Sequence, residues 1–319
     1  MTAFGAMPRK VTVVGAGDIG CGWAALCVSA GWPVTIFDAD ARAAERAHVQ
    51  VPERARALVS FERATAGIVE RGLLEFHPAR SLLQAVTDAD WVIEAIPEDL
   101  MAKQKLLGAI DEIAAPGALV SSSSSGLAPK DIFGRCVHAS RCLIVHPLNP
   151  PELIPLVEVV PGSAKQETVE QANGYLRALG RVPVLVRKAV PGYAVGRIAA
   201  AVWRESIDLV LNGVIDVEDL DRAMSLGPAL GWAAAGPHLS YHLGAGAAGV
   251  SIFLQRLLAS FESWWADLAT WNQLDPERRK ALIHAIQGAY GDRVEELREI
   301  RDRRLGDLLR ALEQARTDR

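Results

Sequence analysis

Cysteine, aromatic side chains, charge of one sign and long apolar runs are all scarce in this 319-residue chain. Its four cysteines, Cys21, Cys27, Cys136 and Cys142, stand at spacings that match no zinc module and no disulfide framework, which points to a reducing cytoplasm. No uninterrupted apolar run is long enough to span a bilayer, and the opening MTAFGAMPRK lacks the apolar core of a signal peptide. A cytoplasmic protein with no membrane partner is expected. The net charge of −4 leaves no basic field to recruit nucleic acid. With 50% hydrophobic and 23% charged residues, the chain is neither disordered nor collagen-like. Its length suits one large domain or two ordinary ones.

What is present begins at Lys10. KVTVV is a β-branched run fit for a buried parallel strand, and GAGDIG follows at once. WAALCVSAG then reads as helix, with Gly31 at the C-cap, and VTIF is a second strand with Asp38 at its end. Gly15 permits a tight turn, Gly17 lets backbone approach a pyrophosphate, and Gly20 lets helix and strand pack closely. Asp18 and Ile19, inside the motif, count with the glycines as candidate cofactor contacts, and the N-terminus of the following helix offers phosphate its free N–H groups and positive dipole end. Asp38 can accept from both ribose hydroxyls and would repel a 2′-phosphate, so NAD is expected rather than NADP. The alternative is a glycine-rich turn in an α/β protein without nucleotide, but strand, helix and acid all stand where the motif requires them.

Further strands are expected at WVIEAIPED, ALVSSSSSG, CLIVHPLNPP, LVEVVPG and VPVLVR. Residues 40 to 85 read as a helical hairpin with RGLLEF as its break, and 103–113 and 165–180 as helices. The alternation implies an α/β fold, a Rossmann-type doubly wound parallel sheet. After Val190-Pro191-Gly192 no convincing strand follows: one long apolar helix covers 193–213, glycine-broken helices 215–290, and a charged amphipathic helix 292–316. Two domains are therefore expected, a nucleotide-binding domain over 1–190 and a smaller all-helical domain over 191–319. The apolar stretches AAAVW and FLQRLLASF fit either a subunit interface, hence a homodimer, or the core of the helical domain itself.

The strongest chemical constellation is HPLNPPELIPLVE, residues 146 to 158. His146 ends a buried strand, where ligands bind in open α/β sheets. The prolines force a turn and the chain returns as LVEV, which can bring Glu158 beside His146. A histidine held by a carboxylate keeps one tautomer and can take a proton from a substrate hydroxyl; a satisfied core histidine is the other reading. The serine run Ser121–Ser125 is either a flexible linker or a loop lining the cofactor cleft. In the second case Ser125 would meet the substrate oxygen and Ser123 the nicotinamide ribose or amide, although the spacing does not assign each serine its role. Glu98 and Lys103 are candidate cofactor contacts, with a solvated charge pair as the alternative. His238 and His242 stand at i, i+4 without a third ligand, so no metal site is expected.

GAGDIG, WVIEAIPED with Lys103, SSSSSGL, HPLNPP…LVEVVPG and PGYAVGRI occur in the order seen in the 3-hydroxyacyl-CoA dehydrogenase family, and the chain resembles that family over residues 10 to 245. The resemblance implies that His146 is the general base, that Glu158 orients it, that Ser125 binds the substrate oxygen and that Asn149 supports the site. The SSSSSGL run and the charged ending EELREIRDRRL look most like the branch that dispenses with coenzyme A, which holds L-gulonate 3-dehydrogenase (the λ-crystallin relatives) and L-carnitine dehydrogenase. It implies an NAD-dependent enzyme that oxidises the 3-hydroxyl of a small L-3-hydroxy acid of the gulonate or carnitine kind.

Two departures bear on that substrate. The family's glycine-aromatic-x-x-asparagine-arginine motif reads GYAVGR, so Gly196 replaces a polar residue. An arginine suited to clamping a carboxylate is missing near Gly231, where the stretch reads GPALGW. Trp264, Trp265 and Trp271 fall close together in sequence, and aromatic faces bind quaternary ammonium groups; ordinary packing is the alternative. Two rivals stand beside this reading: a dehydrogenase of 3-hydroxyacyl-CoA thioesters, and an NAD(H)-binding crystallin-like or sensor protein with little turnover.

Overall fold

The computed structural model describes residues 7–317; Met1–Ala6 of the opening stretch lie outside them. The chain divides into two compact units, with the border between Arg197 and Ile198.

The first unit alternates strand and helix. In order it runs β1 (Val11–Val14), α1 (Asp18–Ser29), β2 (Val34–Phe37), α2 (Ala41–Ser60), α3 (Ala66–Leu74), β3 (Phe76–Pro78), α4 (Leu82–Val86), β4 (Trp91–Glu94), α5 (Leu100–Ile113), β5 (Leu119–Ser122), α6 (Pro129–Ile132), β6 (Cys142–Pro147), β7 (Leu156–Val160), α7 (Gln166–Ala178) and β8 (Val182–Leu185). The strands form one sheet in the order β3-β2-β1-β4-β5-β6-β7-β8. Pairing is parallel from β3 across to β6, antiparallel between β6 and β7, and parallel again from β7 to β8. The sheet expected as parallel is thus mostly parallel, with one reversal. The proline turn after Pro147 causes it, because it is too short for a crossover and sends the chain straight back.

Both faces of the sheet are covered. Val11 and Val13 pack on one side with α1, α2 and α7, while Val14 packs on the other with residues of α4 and α5. Period-2 alternation makes such a strand apolar throughout. Thr12 is the exception, and its buried hydroxyl donates to the Ala85 carbonyl at 2.6 Å. One element departs from the sequence-based expectation: Phe76–Pro78, read as part of a helical hairpin, adds the edge strand β3 beside β2. Pro78 has no N–H to donate to a ladder, and an edge strand tolerates that.

The long helix α8 (Val195–Leu211) starts at the end of the first unit. The second unit continues with α9 (Val217–Leu226), α10 (Pro228–Ala235), α11 (Pro237–Leu243), α12 (Gly249–Asp267), α13 (Pro276–Tyr290) and α14 (Val294–Thr317). It has no strand among the described residues. Tyr241, Phe253, Phe261, Trp264 and Trp265 form a chain of ring contacts, with centroids 5.0 to 5.9 Å apart. Trp271 stands apart: its Nε1–H donates to Asp208 at 3.0 Å, and the Arg278 guanidinium lies 5.9 Å from its ring centroid. The three tryptophans therefore do not form one cage, and Trp271 already faces a cation.

Candidate active site

The parallel strands β1, β4 and β5 end at one edge of the sheet, and their loops enclose a cavity of about 520 Å³. Gly15, Gly17, Asp18, Ile19, Asp38, Glu98, Ser123 and Ser125 all line it. The glycine loop there is sterically required. Gly15 has φ +108°, and a Cβ would lie 2.6 Å from the Ala95 carbonyl; at Gly20 a Cβ would lie 1.8 Å from the Gly15 oxygen. A Cβ on Gly17 meets nothing within 4 Å, so this residue borders open space at the N-terminus of α1, and no side chain caps that helix. Bare backbone N–H groups beside open space suit a pyrophosphate. Asp38 holds the loop down: it accepts from Ala16 N–H at 2.7 Å and from Asp40 N–H at 2.8 Å.

The serine run separates into two roles. Ser121 accepts from the Trp91 indole at 2.9 Å, Ser122 donates to Glu94 at 2.5 Å, and Ser124 donates to Glu98 at 2.6 Å. Ser123 and Ser125 line the cavity instead. The Trp23 indole donates to Ser123 Oγ at 3.1 Å, while Ser125 is exposed. Glu98 gathers the loop, accepting from Ser125 N–H at 3.0 Å and Gly126 N–H at 3.1 Å. Lys103 lies behind this loop and is not among the residues lining the cavity. It is buried, donating to Glu94 at 2.7 Å and to the Ile96 carbonyl at 3.0 Å, with Glu98 at 3.5 Å. Of the two readings of Glu98 and Lys103, cofactor contact or solvated pair, Lys103 follows neither: it lies off the cavity in a buried ion-pair network, while Glu98 lines the cavity.

His146 and Glu158 are direct register partners on β6 and β7. The His146 Nδ1 lies 2.9 Å from Glu158 Oε2. Glu158 is fully buried, and its other oxygen accepts from Ala194 N–H at 2.9 Å and Val195 N–H at 3.0 Å. A carboxylate only accepts, so Nδ1 carries the proton and the neutral ring keeps its lone pair at Nε2. Asn149 is exposed in the turn after β6, ahead of a cis bond to Pro150.

Sequence reading missed three residues here. Trp23 props Ser123. Tyr193, at φ +47°, sets its ring edge-on to His146 with centroids 5.7 Å apart and donates to the Leu127 carbonyl at 2.7 Å; burial pushes its phenol up. Arg54 donates to Asp18 Oδ1 at 2.6 Å and to its carbonyl at 2.9 Å. The one available signal was a bulky Trp23 in a helix of small residues. Gly196, the departure noted above, leaves room: a Cβ there would meet only the Ser125 carbonyl, at 3.9 Å.

The glycine cradle, the open helix terminus and the acid at the end of β2 fit NAD, and they define a class, the NAD-dependent dehydrogenases. The chain belongs to the 3-hydroxyacyl-CoA dehydrogenase family. The family model for the NAD-binding domain of 3-hydroxyacyl-CoA dehydrogenase matches residues 10–190, and that for its C-terminal domain matches 192–281. An L-carnitine dehydrogenase of Streptomyces coelicolor is 34% identical over 305 residues, 95% of this chain and 94% of the relative. A 3-hydroxyacyl-CoA dehydrogenase of Gibberella moniliformis is 36% identical, again over 95% and 94% of the two chains. The solved structure of 5-formyl-3-hydroxy-2-methylpyridine 4-carboxylic acid 5-dehydrogenase, an NAD+-dependent dismutase, superposes with a TM-score of 0.83 at 30% identity, covering 96% and 98%.

Proposed function

We propose that this dehydrogenase oxidises the 3-hydroxyl of a small free L-3-hydroxy acid, of the carnitine or gulonate kind, with His146 as the base. The observation that carries the reading is the His146–Glu158 pair at 2.9 Å, at the end of β6. NAD, when bound, supplies the hydride acceptor. His146 Nε2 takes the hydroxyl proton, and the ring becomes an imidazolium whose charge faces the Glu158 carboxylate. The two backbone N–H groups on Glu158 Oε1 keep that carboxylate from turning away. Ser125, exposed on the cavity wall, holds the substrate oxygen, and Asn149 supports the site from the turn after β6. Several relatives named L-carnitine dehydrogenase, one 37% identical over 277 residues, support a free acid. The Gibberella relative supports the rival, a coenzyme A thioester.

The test is NADH formation by purified protein with L-carnitine, L-gulonate, L-3-hydroxybutyrate and 3-hydroxybutyryl-CoA. Turnover of a free acid well above the thioester is expected, and His146→Ala should abolish it while NADH binding persists. A thioester preferred a hundredfold would replace the substrate reading. Undiminished turnover by His146→Ala would remove the proposed base.

We also propose a homodimer formed through the helical unit. Among its described residues only Ile207, Leu282 and Leu309 are buried hydrophobic side chains, whereas Trp203, Leu226, Trp264 and Trp265 are more than half exposed. Apolar surface on that scale supports an interface. Light scattering should give twice the chain mass; a monomer at micromolar concentration would refute the pairing.

A further inference from the structure

The charges lining the dinucleotide cavity are unequal in number and in engagement. Four carboxylates line it, those of Asp18, Asp38, Asp40 and Glu98, and one cation, Arg46. Each carboxylate is occupied. Asp18 is held by Arg54, Asp38 by two backbone N–H groups, and Asp40 caps α2 by accepting from Arg42 N–H at 3.0 Å. Glu98 takes the Ser124 hydroxyl and two backbone N–H groups. Arg46 is exposed and has no hydrogen bond or ion pair among the described residues. Its position in the second turn of α2 places it near the first turn of α1. Burial pushes the Cys21 thiol there up to about 11, and the guanidiniums of Arg54 and Arg46 both pull against that rise.

An unengaged guanidinium beside an acidic wall needs a reason. NAD carries its negative charge on the pyrophosphate, which the Gly17 gap and the α1 N-terminus are shaped to receive. Arg54 is not among the residues that line the cavity, and its guanidinium faces Asp18 and Glu152. We infer that Arg46, on the wall of the same cavity, is the cationic partner of the cofactor's pyrophosphate. The inference rests on NAD being the cofactor. The carboxylates on the same wall make this one cation more valuable, because without it the dianion would meet no positively charged side chain among the lining residues.

The test titrates NADH by fluorescence against the full chain and the variants Arg46→Ala, Arg46→Met and Arg46→Lys, at low and high salt. Thermal melting checks that each variant folds, and the exposed position makes that the expected result. Wild-type binding establishes the cofactor independently of this residue. The Ala and Met variants should bind NADH roughly tenfold more weakly, as expected for one charge-assisted contact, with a flatter salt dependence than wild type. Lys should retain binding within about threefold. A Kd for Ala within twofold of wild type would overturn the assignment. So would loss in Lys equal to that in Ala, since that pattern belongs to a planar stacking contact and not to charge.

Discussion

Glu158 stands directly across the β6–β7 ladder from His146, and its carboxylate bonds at once to the imidazole and to the backbone at the start of α8. Antiparallel pairing makes the contact, because residues directly opposite point to the same face. A parallel β7 would have needed a crossover and a different partner. The one reversed strand in the sheet therefore sets the geometry proposed for proton transfer.

Glu158→Gln probes that geometry. The amide can keep one oxygen toward Ala194 and Val195, but its NH2 then faces His146 Nδ1 and reverses the tautomer. We expect kcat to fall roughly a thousandfold or more, as when a triad carboxylate becomes an amide, with the NADH Kd unchanged. A loss below tenfold would show that the carboxylate does not orient the base.

Two glycines of one loop should fail differently. Gly20→Ala would force a Cβ against the Gly15 carbonyl and should cost about 2–3 kcal/mol of stability. Gly17→Ala meets nothing, so its melting temperature should barely change, while the methyl enters the space proposed for pyrophosphate and weakens NADH binding at least tenfold. Melting and binding assays on the pair would contradict this if both variants lost only stability.

Gly196→Asn restores the side chain that the family resemblance implies at this position, where a Cβ would meet only the Ser125 carbonyl, at 3.9 Å. One added hydrogen bond to a polar substrate should raise kcat/KM for L-gulonate about three- to tenfold. No gain on any hydroxy acid would mean that position 196 does not face the substrate.

Asp111 supplies a pH test of the strand that carries His146. Arg141, just before β6, donates to its carboxylate at 2.9 and 3.0 Å, and to the Ala115 carbonyl. Burial would raise the Asp111 carboxyl, but the His138 N–H and the Arg141 guanidinium outweigh it and hold the group below its usual 3.8. A depressed carboxyl stabilises the fold above that value and loses its contribution as pH falls through the lower folded-state value. Asp111→Ala should therefore cost about 3–5 kcal/mol at neutral pH, and the gap from wild type should narrow only below about pH 4 in urea melts. A gap that closes between pH 5 and 7 would assign the effect to another group.

Much of the nucleotide seat was legible because its signals are local. GAGDIG needs only its own backbone and one adjoining strand, and the His146–Glu158 contact follows from period 2 across a proline turn. What stayed hidden depends on distant partners. Phe76–Pro78 becomes a strand only because β2 offers an edge, and nothing in three residues announces that. Lys103 reads as a cofactor contact or half of a solvated pair; that Glu94, on the fourth strand of the sheet order, draws its ammonium into the interior is not written in the spacing. Tyr193 reaches His146 from 47 positions away in sequence, through a backbone at φ +47°. Trp271 looked like a neighbour of Trp264 and Trp265, but Asp208 and Arg278 hold it elsewhere.

Asp38 holds the glycine loop and the start of α2 with the same carboxylate that is proposed to meet the ribose. Lineages that trade an acid at this position for a smaller residue would gain space for a phosphate and lose both stitches together. Drift toward the phosphorylated cofactor would then have to begin elsewhere, with a replacement acceptor for Ala16 and Asp40 already in place. An acid at position 38 is on that account tied to the architecture of the loop as well as to its proposed contact with the ribose.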